Sequence, residues 1–418
     1  MRPTEAMDRP VADQAPPSPR LPPAARADAV DTVDADVPAA VGRVLDALLA
    51  ERVARATALD PVFGHDLAAR VARFTLEGGK RTRSQFVWWA MRACGGGPAR
   101  AEAALRIGAA LELIQTCALV HDDVMDGARM RRGRPALHVD VADQYGERYA
   151  DAGTPAPGRR FGEAAAILAG DLALAWADDT VAAVELEPAA AARAVRELWS
   201  ALRTEMVAGQ YLDVRGQVAS APSVARAVRA ACLKSALYSV ERPLALGAAL
   251  AGADGARRAA LSSAGRCVGI AFQLRDDLVD VYGDPRRSGK PVGGDIRAGR
   301  PTALVAVARA RAEAAGDRHA LAVLRRSLGR ADLSESGLAE VRDVLEATGA
   351  RDAVEARIGR LVDRGLRHLE SADLEPEGRR RLRGLLHAAA GSPPAPDGTD
   401  ARVLRSPLVA ARADGPVR

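Results

Sequence analysis

The stretch 101–126, AEAALRIGAALELIQTCALVHDDVMD, constrains the fold most. It runs for about seven turns with apolar residues at three- and four-residue steps, the spacing of a helix packed into a core. The same periodicity begins at Val41-Leu45-Leu48-Leu49 and returns over 162–184, 190–215, 223–252, 256–282, 301–328 and 336–370. Gly95-Gly96-Gly97-Pro98, Thr154-Pro155-Ala156-Pro157, Ala221-Pro222, Asp284-Pro285 and Gly293-Gly294 break it. Alternating strand patterns and fixed-period repeats are absent, and aromatic residues are only 3% of the chain, which disfavours an all-β fold.

Proline marks the edges. Eight of the 25 prolines fall in residues 1–40 and five in 391–418. Residues 1–38 and 391–418 are therefore expected to be disordered tails, and residues 39–390 one all-α domain, a single large helical bundle of about ten helices. A net charge of +5 over 418 residues is too weak and too dispersed for a nucleic-acid binder. Cys94, Cys117, Cys232 and Cys267 form no CxxC pair, which fits a reducing cytoplasm. The N-terminus has no apolar signal region. The richest apolar run, Ile107 to Val120, is interrupted by Glu112, so no membrane span is expected.

Two aspartate triads carry chemistry. Asp122-Asp123-Val124-Met125-Asp126 recurs as Asp276-Asp277-Leu278-Val279-Asp280. Residues four apart share a helix face, so each triad sets two carboxylates side by side. Like charges so placed need a cation between them, and Mg²⁺ prefers carboxylate, water and phosphate oxygens. A single DxxxD is usually a solvated face; two copies ending apolar helices point to metal-held diphosphate. Basic groups accompany them: Gly78-Gly79-Lys80-Arg81-Thr82-Arg83, then Arg131-Arg132-Gly133, then Lys234-Ser235 with Lys290 and Arg300. Each alone reads equally well as an exposed basic loop. Together with the triads they suit two anionic substrates, one held through metal and one by Lys and Arg directly.

These segments resemble the trans-prenyltransferases, the head-to-tail isoprenyl diphosphate synthases. The likeness covers roughly residues 40–370. It rests on GGKRTR, on LELIQTCALVHDDVMDGARMRRGRPALH, on GIAFQLRDDLVDVYGDPRRSGKPVGGDIRAGRPT, and on AILAGDLALAWA and ALRTEMVAGQYLDV between them. It is most like the geranylgeranyl diphosphate synthases. The resemblance implies helices around a deep central cavity, a homodimer, and three Mg²⁺ ions per site. It also implies isopentenyl diphosphate and an allylic diphosphate as substrates. By position, Asp122, Asp126 and Asp276 would bind Mg²⁺, with lesser roles for Asp123, Asp277 and Asp280. Arg131, Lys234, Ser235, Gln273 and Lys290 would hold the allylic substrate. Lys80, Arg83, Gln115 and Arg132 would hold isopentenyl diphosphate, and Gln115 lies two turns before Asp122 on the same face. Asp122, Asp126, Asp276, Lys234 and Gln273 would carry catalysis. Ser235, Arg300 and Ala136 stand where the family commonly has Thr, Lys and Thr. His121 reads as a packing residue rather than a general base.

The growing chain is expected to run from Asp122 back along its helix, past Cys117, Ala118, Ile114 and Leu111. Cys117 and Ala118 are small, which opens the cavity at that depth, and the first floor candidates are Ile114 and Leu111. A product of about twenty carbons follows, with longer chains as the alternative. A class I terpene cyclase on the same fold would not need GGKRTR, Gln115 and Arg132. A regulatory subunit would be expected to lack one triad, and a metal-storage bundle would show Glu-x-x-His pairs.

Overall fold

Gly97 and Pro98 start the helix Pro98–Met125, because proline at the first position presets φ and gives up a donor that would be orphaned anyway. In the computed structural model, which describes residues 30–149, 157–218, 229–230, 232–284 and 292–391, this helix is the main core element. Ile107, Leu111, Leu113 and Ile114 are fully buried along it, each worth roughly 1.5–3 kcal/mol. It packs on Pro157–Ala182, Thr82–Ala93 and Val37–Leu59. Its apolar length would span a membrane, but most of that stretch is buried inside the protein.

A second helix, Gly255–Tyr282, is capped by Asp254, whose side chain accepts from the Arg257 amide. It packs on Ala350–Glu370 and on a π-helical segment, Cys232–Glu241. The helix Ala189–Val218 packs on the same segment from another side. Contact there is backbone to backbone. A Cβ built at Gly209 would stand 2.2 Å from the Lys234 amide nitrogen, and one at Gly269 would stand 2.4 Å from the Ala236 carbonyl. Glycine is what lets this segment seat so closely.

The buried side chains form one continuous cluster from Val30 to Ala390. The fold is all-α: among the described residues the only strands are Met130–Arg131 and Arg134–Pro135, one short hairpin.

The structure differs from the sequence reading at three places. Helical structure is already present at Val30, ahead of the expected boundary at 39. Val30 and Val33 are buried, and Asp34 accepts a hydrogen bond from Trp88 Nε1 at 2.7 Å and an ion pair from Arg92. Residues 1–29 and 392–418, the rest of the expected tails, lie outside the described residues. The 301–328 run is two helices, Ala303–Ala315 and Arg318–Ser327, because Gly316 takes φ +66 and Asp317 caps the next helix. Gly349, also at φ +66, likewise divides 336–370 into Glu335–Ala347 and Ala350–Glu370.

Candidate active site

Pro98–Met125 delivers Asp122, Asp123 and Asp126 at its last turn, and Gly255–Tyr282 delivers Asp276, Asp277 and Asp280. Residues from elsewhere join the two triads. Arg300 pairs with Asp126, and its Nε lies 3.6 Å from Asp295. The Asp295 amide donates to Asp280 Oδ2 at 3.0 Å. On the other flank, Lys234 Nζ donates to Asp122 Oδ1 at 3.0 Å and to Asp213 Oδ2 at 2.7 Å. Gln210 Nε2 donates to Asp122 Oδ1 at 2.9 Å. A cleft of about 90 Å³ opens between them, lined by Asp213, Lys234, Ser235, Gln273, Asp277 and Arg300 among others.

The electrostatics are opposed within one triad. Burial works against ionised Asp122, but Lys234, Arg300 and Gln210 outweigh it and hold the carboxyl below its ordinary value. Asp126 is raised, by burial and then by Asp122. Asp123 is buried and fixed by Arg131, whose Nε donates at 2.9 Å and 3.1 Å. On the second triad, Gln273 donates to Asp277 Oδ1 at 2.9 Å, yet burial pushes Asp277 up to about 7. Asp276 is exposed.

Among the described residues no three His, Cys, Asp or Glu side chains converge tightly enough to cage a metal alone. Mg²⁺ keeps several waters and is usually held by one or two carboxylates plus substrate phosphates. The donor set here is oxygen only, in two carboxylate pairs. Asp122 and Asp126 on one side, and Asp276 on the other, fit as its holders.

A second basic group lies further along Pro98–Met125. Tyr238 donates to Gln115 Oε1 at 2.8 Å. Arg83 stacks over the Tyr238 ring at 4.3 Å and donates to Ser239 Oγ at 2.9 Å, and its buried Nε has no protein partner. Arg132 sits in the hairpin turn at φ +52, with Gly133 at φ +76, the backbone of a two-residue type I′ turn. Arg81 is also left-handed, at φ +48. Arg81 and Arg132 are the only non-glycine residues with positive φ among the described residues, strain of roughly 1–3 kcal/mol each at one site. Lys80 is exposed in the adjoining loop.

The structure therefore gathers Asp122, Asp126, Lys234, Ser235, Gln273 and Arg300 at one place, and Arg83, Gln115 and Arg132 at another. Lys290 lies outside the described residues. Four of the proposed pocket positions divide unevenly: Ala118 is partly accessible, on the stripe of Gln115 and Asp122, whereas Cys117, Ile114 and Leu111 are buried. Trp176 is buried too, and Phe161 is half-exposed against Tyr145. His121 packs over Gly170, its Nε2 3.0 Å from the Ile167 carbonyl and its Nδ1 3.8 Å from Cys117 Sγ. Both nitrogens are engaged, so it is a packing residue. Gln210, Asp213, Asp295 and Tyr238 were given no role from sequence. Gln210 and Asp213 did leave a signal, two polar residues three apart on an otherwise helical run.

Comparison with known proteins agrees. The Polyprenyl synthetase family model matches residues 65–340. A geranylgeranyl pyrophosphate synthase from Corynebacterium glutamicum, solved with isoprenyl diphosphate and magnesium, is similar with a TM-score of 0.76 at 36% identity, over 84% of this chain and 98% of that one. A short chain isoprenyl diphosphate synthase of Methanothermobacter thermautotrophicus is 32% identical over 71% of this chain and 82% of its own. A farnesyl diphosphate synthase of Geobacillus stearothermophilus is 32% identical over 66% and 86%. With its two aspartate triads joined through Arg300 and its separate arginine pocket, the chain belongs to the polyprenyl synthetase family and is a prenyltransferase.

Proposed function

We propose that this enzyme joins isopentenyl diphosphate head-to-tail to an allylic diphosphate, with Mg²⁺, and that its main product is geranylgeranyl diphosphate. The observation that carries the reading is the presence of two charged sites on one helix. Asp122 and Asp126, with Lys234 and Arg300, form the first; Gln115 with Arg83 and Arg132 forms the second.

Bound Mg²⁺ supplies neutralisation of the charge that grows on a departing diphosphate. Asp122, Asp126 and Asp276 would hold it. Lys234 and Arg300, which now compensate the acids, present N–H donors to the same diphosphate oxygens. Arg83, through its unpartnered Nε, and Arg132 hold the second diphosphate. The carbon–oxygen bond of the allylic substrate breaks, the double bond of isopentenyl diphosphate attacks the cation, and a proton leaves. The departing diphosphate takes that proton, since His121 is engaged on both nitrogens.

Ala118 supports the chain length, a small residue on the accessible stripe below Asp122. Exposed Phe161, Ile167 and Leu168 on one helix support a homodimer, an apolar stripe that a second copy would cover. Four unpaired cysteines support a cytoplasmic location. Incubation with isopentenyl diphosphate, each allylic diphosphate in turn and Mg²⁺, read by mass spectrometry, tests the reaction and the length together. Products stopping at farnesyl diphosphate would overturn the length, and no condensation at all would overturn the reaction.

A further inference from the structure

Glu112 is a buried carboxylate that this scheme leaves without a task. The residue is 8% exposed and lies one turn before Gln115 on Pro98–Met125. Ser84 Oγ lies 3.0 Å from its Oε1 and 3.0 Å from the Gly108 carbonyl, so the single hydroxyl proton is shared between the two acceptors. Its other oxygen faces the glycine loop and the hairpin: a Cβ built on Gly78 would stand 3.7 Å from Glu112 Oε2 and 3.8 Å from Arg132 Nη1. Burial pushes its carboxyl above the ordinary value, and Arg83 first, then Ser84, Arg81 and Arg132, pull it back toward the charged form.

The Arg83 and Arg132 guanidiniums repel one another, and Arg81 and Arg132 stand on left-handed backbone. Such backbone persists only where the surroundings over-determine it. Arg83 is held by Tyr238 and Ser239. Arg81 donates to the Pro38 and Leu76 carbonyls. Arg132 has only long contacts, at 3.4 Å, to the Phe74 and Glu77 carbonyls, and stacks loosely on Phe74 at 5.3 Å. Its nearby opposite charges are Glu112 first and Glu77 after it.

We propose that Glu112 is a positioning residue of the isopentenyl diphosphate pocket. Its carboxylate draws Arg132 and Arg83 into the arrangement that receives the diphosphate, and offsets their repulsion before the substrate arrives. This rests on the reading of Arg83 and Arg132 as isopentenyl diphosphate ligands.

Glu112→Gln keeps the volume and the Ser84 hydrogen bond and removes only the charge. The expected result is a rise of about tenfold in KM for isopentenyl diphosphate, with KM for the allylic substrate and kcat changed by no more than about twofold. Glu112→Asp should recover part of the loss. Calorimetric titration of the metal-free protein with isopentenyl diphosphate should weaken by the same factor. An unchanged or lower KM for isopentenyl diphosphate, or an equal rise in both KM values, would overturn the proposal. If Glu112→Gln does not fold, Ser84→Ala decides, with about a threefold rise expected and no rise overturning it. Wild-type protein that binds isopentenyl diphosphate but condenses nothing would sink the proposed reaction while leaving the calorimetric comparison to judge Glu112.

Discussion

Lys234 Nζ donates to Asp122 Oδ1 at 3.0 Å, although the two stand 112 positions apart in the sequence. The ammonium is shared with Asp213, so one partly buried cation compensates two partly buried acids. A carboxylate left alone at this depth would be strongly disfavoured. The acid proposed to hold Mg²⁺ is thus kept ionised by the cation proposed to receive the leaving diphosphate.

Asp122→Ala should nearly abolish Mg²⁺-dependent turnover, by on the order of 1,000-fold in kcat. It also leaves Lys234 with Asp213 alone. Steady-state rates across a Mg²⁺ titration check this, and retention of full activity would remove Asp122 from the metal set.

Asp277→Asn should stabilise the metal-free protein, and more so at higher pH. Burial is the main reason that the folded carboxyl titrates at about 7, against the Gln273 hydrogen bond and with help from Asp276. In the unfolded chain it titrates near about 3.9. Between those values the native state keeps a proton that the unfolded state has lost, so stability falls as pH rises from about 4 to about 7. Asparagine removes that fall. Melting curves in chelator at pH 5 and pH 8 should show the gap between variant and wild type widening with pH; a gap that narrows would refute the assignment.

Ala118→Phe should shift the main product from geranylgeranyl to farnesyl diphosphate, read by mass spectrometry. Ala118 is accessible on the Asp122 stripe. Cys117→Phe, the other substitution that sequence alone would suggest, should instead overpack the core by roughly 1–3 kcal/mol, because Cys117 is 3% exposed. A lowered melting temperature with an unchanged product ratio among surviving enzyme is the expected signature.

Gly209→Val should lower both stability and kcat. Its Cβ would stand 2.2 Å from the Lys234 amide nitrogen, so the helix or the segment has to give. A loss of about 1–3 kcal/mol is expected, with turnover falling further than stability because Lys234 shifts with its backbone. A variant that melts lower yet keeps wild-type kcat would separate the packing from the chemistry.

What sequence showed was what local spacing encodes. The triads, GGKRTR and the Arg131-Arg132 pair announce themselves as short strings, and the helices as a period of apolar residues. Partners brought from afar do not. Asp213 and Asp295 matter because Lys234 and Arg300 reach them, and nothing beside them in the chain says so. Glu112 read only as an interruption of an apolar run until the arginines around it were in view. The N-terminal boundary was missed for a different reason. The prolines stop at Pro23 except for Pro38, and Val30, Val33 and Val37 already keep helical spacing, but the proline-rich stretch before them obscured it.

Cys232–Glu241 carries Lys234 at one end and Tyr238 and Ser239 a turn later. One end grips Asp122 and the other holds Gln115 and Arg83. In the proposed reaction, the donor and the acceptor of the new bond would therefore be gauged by a single ruler of ten residues. A change anywhere along it that preserves both grips still alters the reach between two reacting carbons, and so tunes rate without touching either substrate.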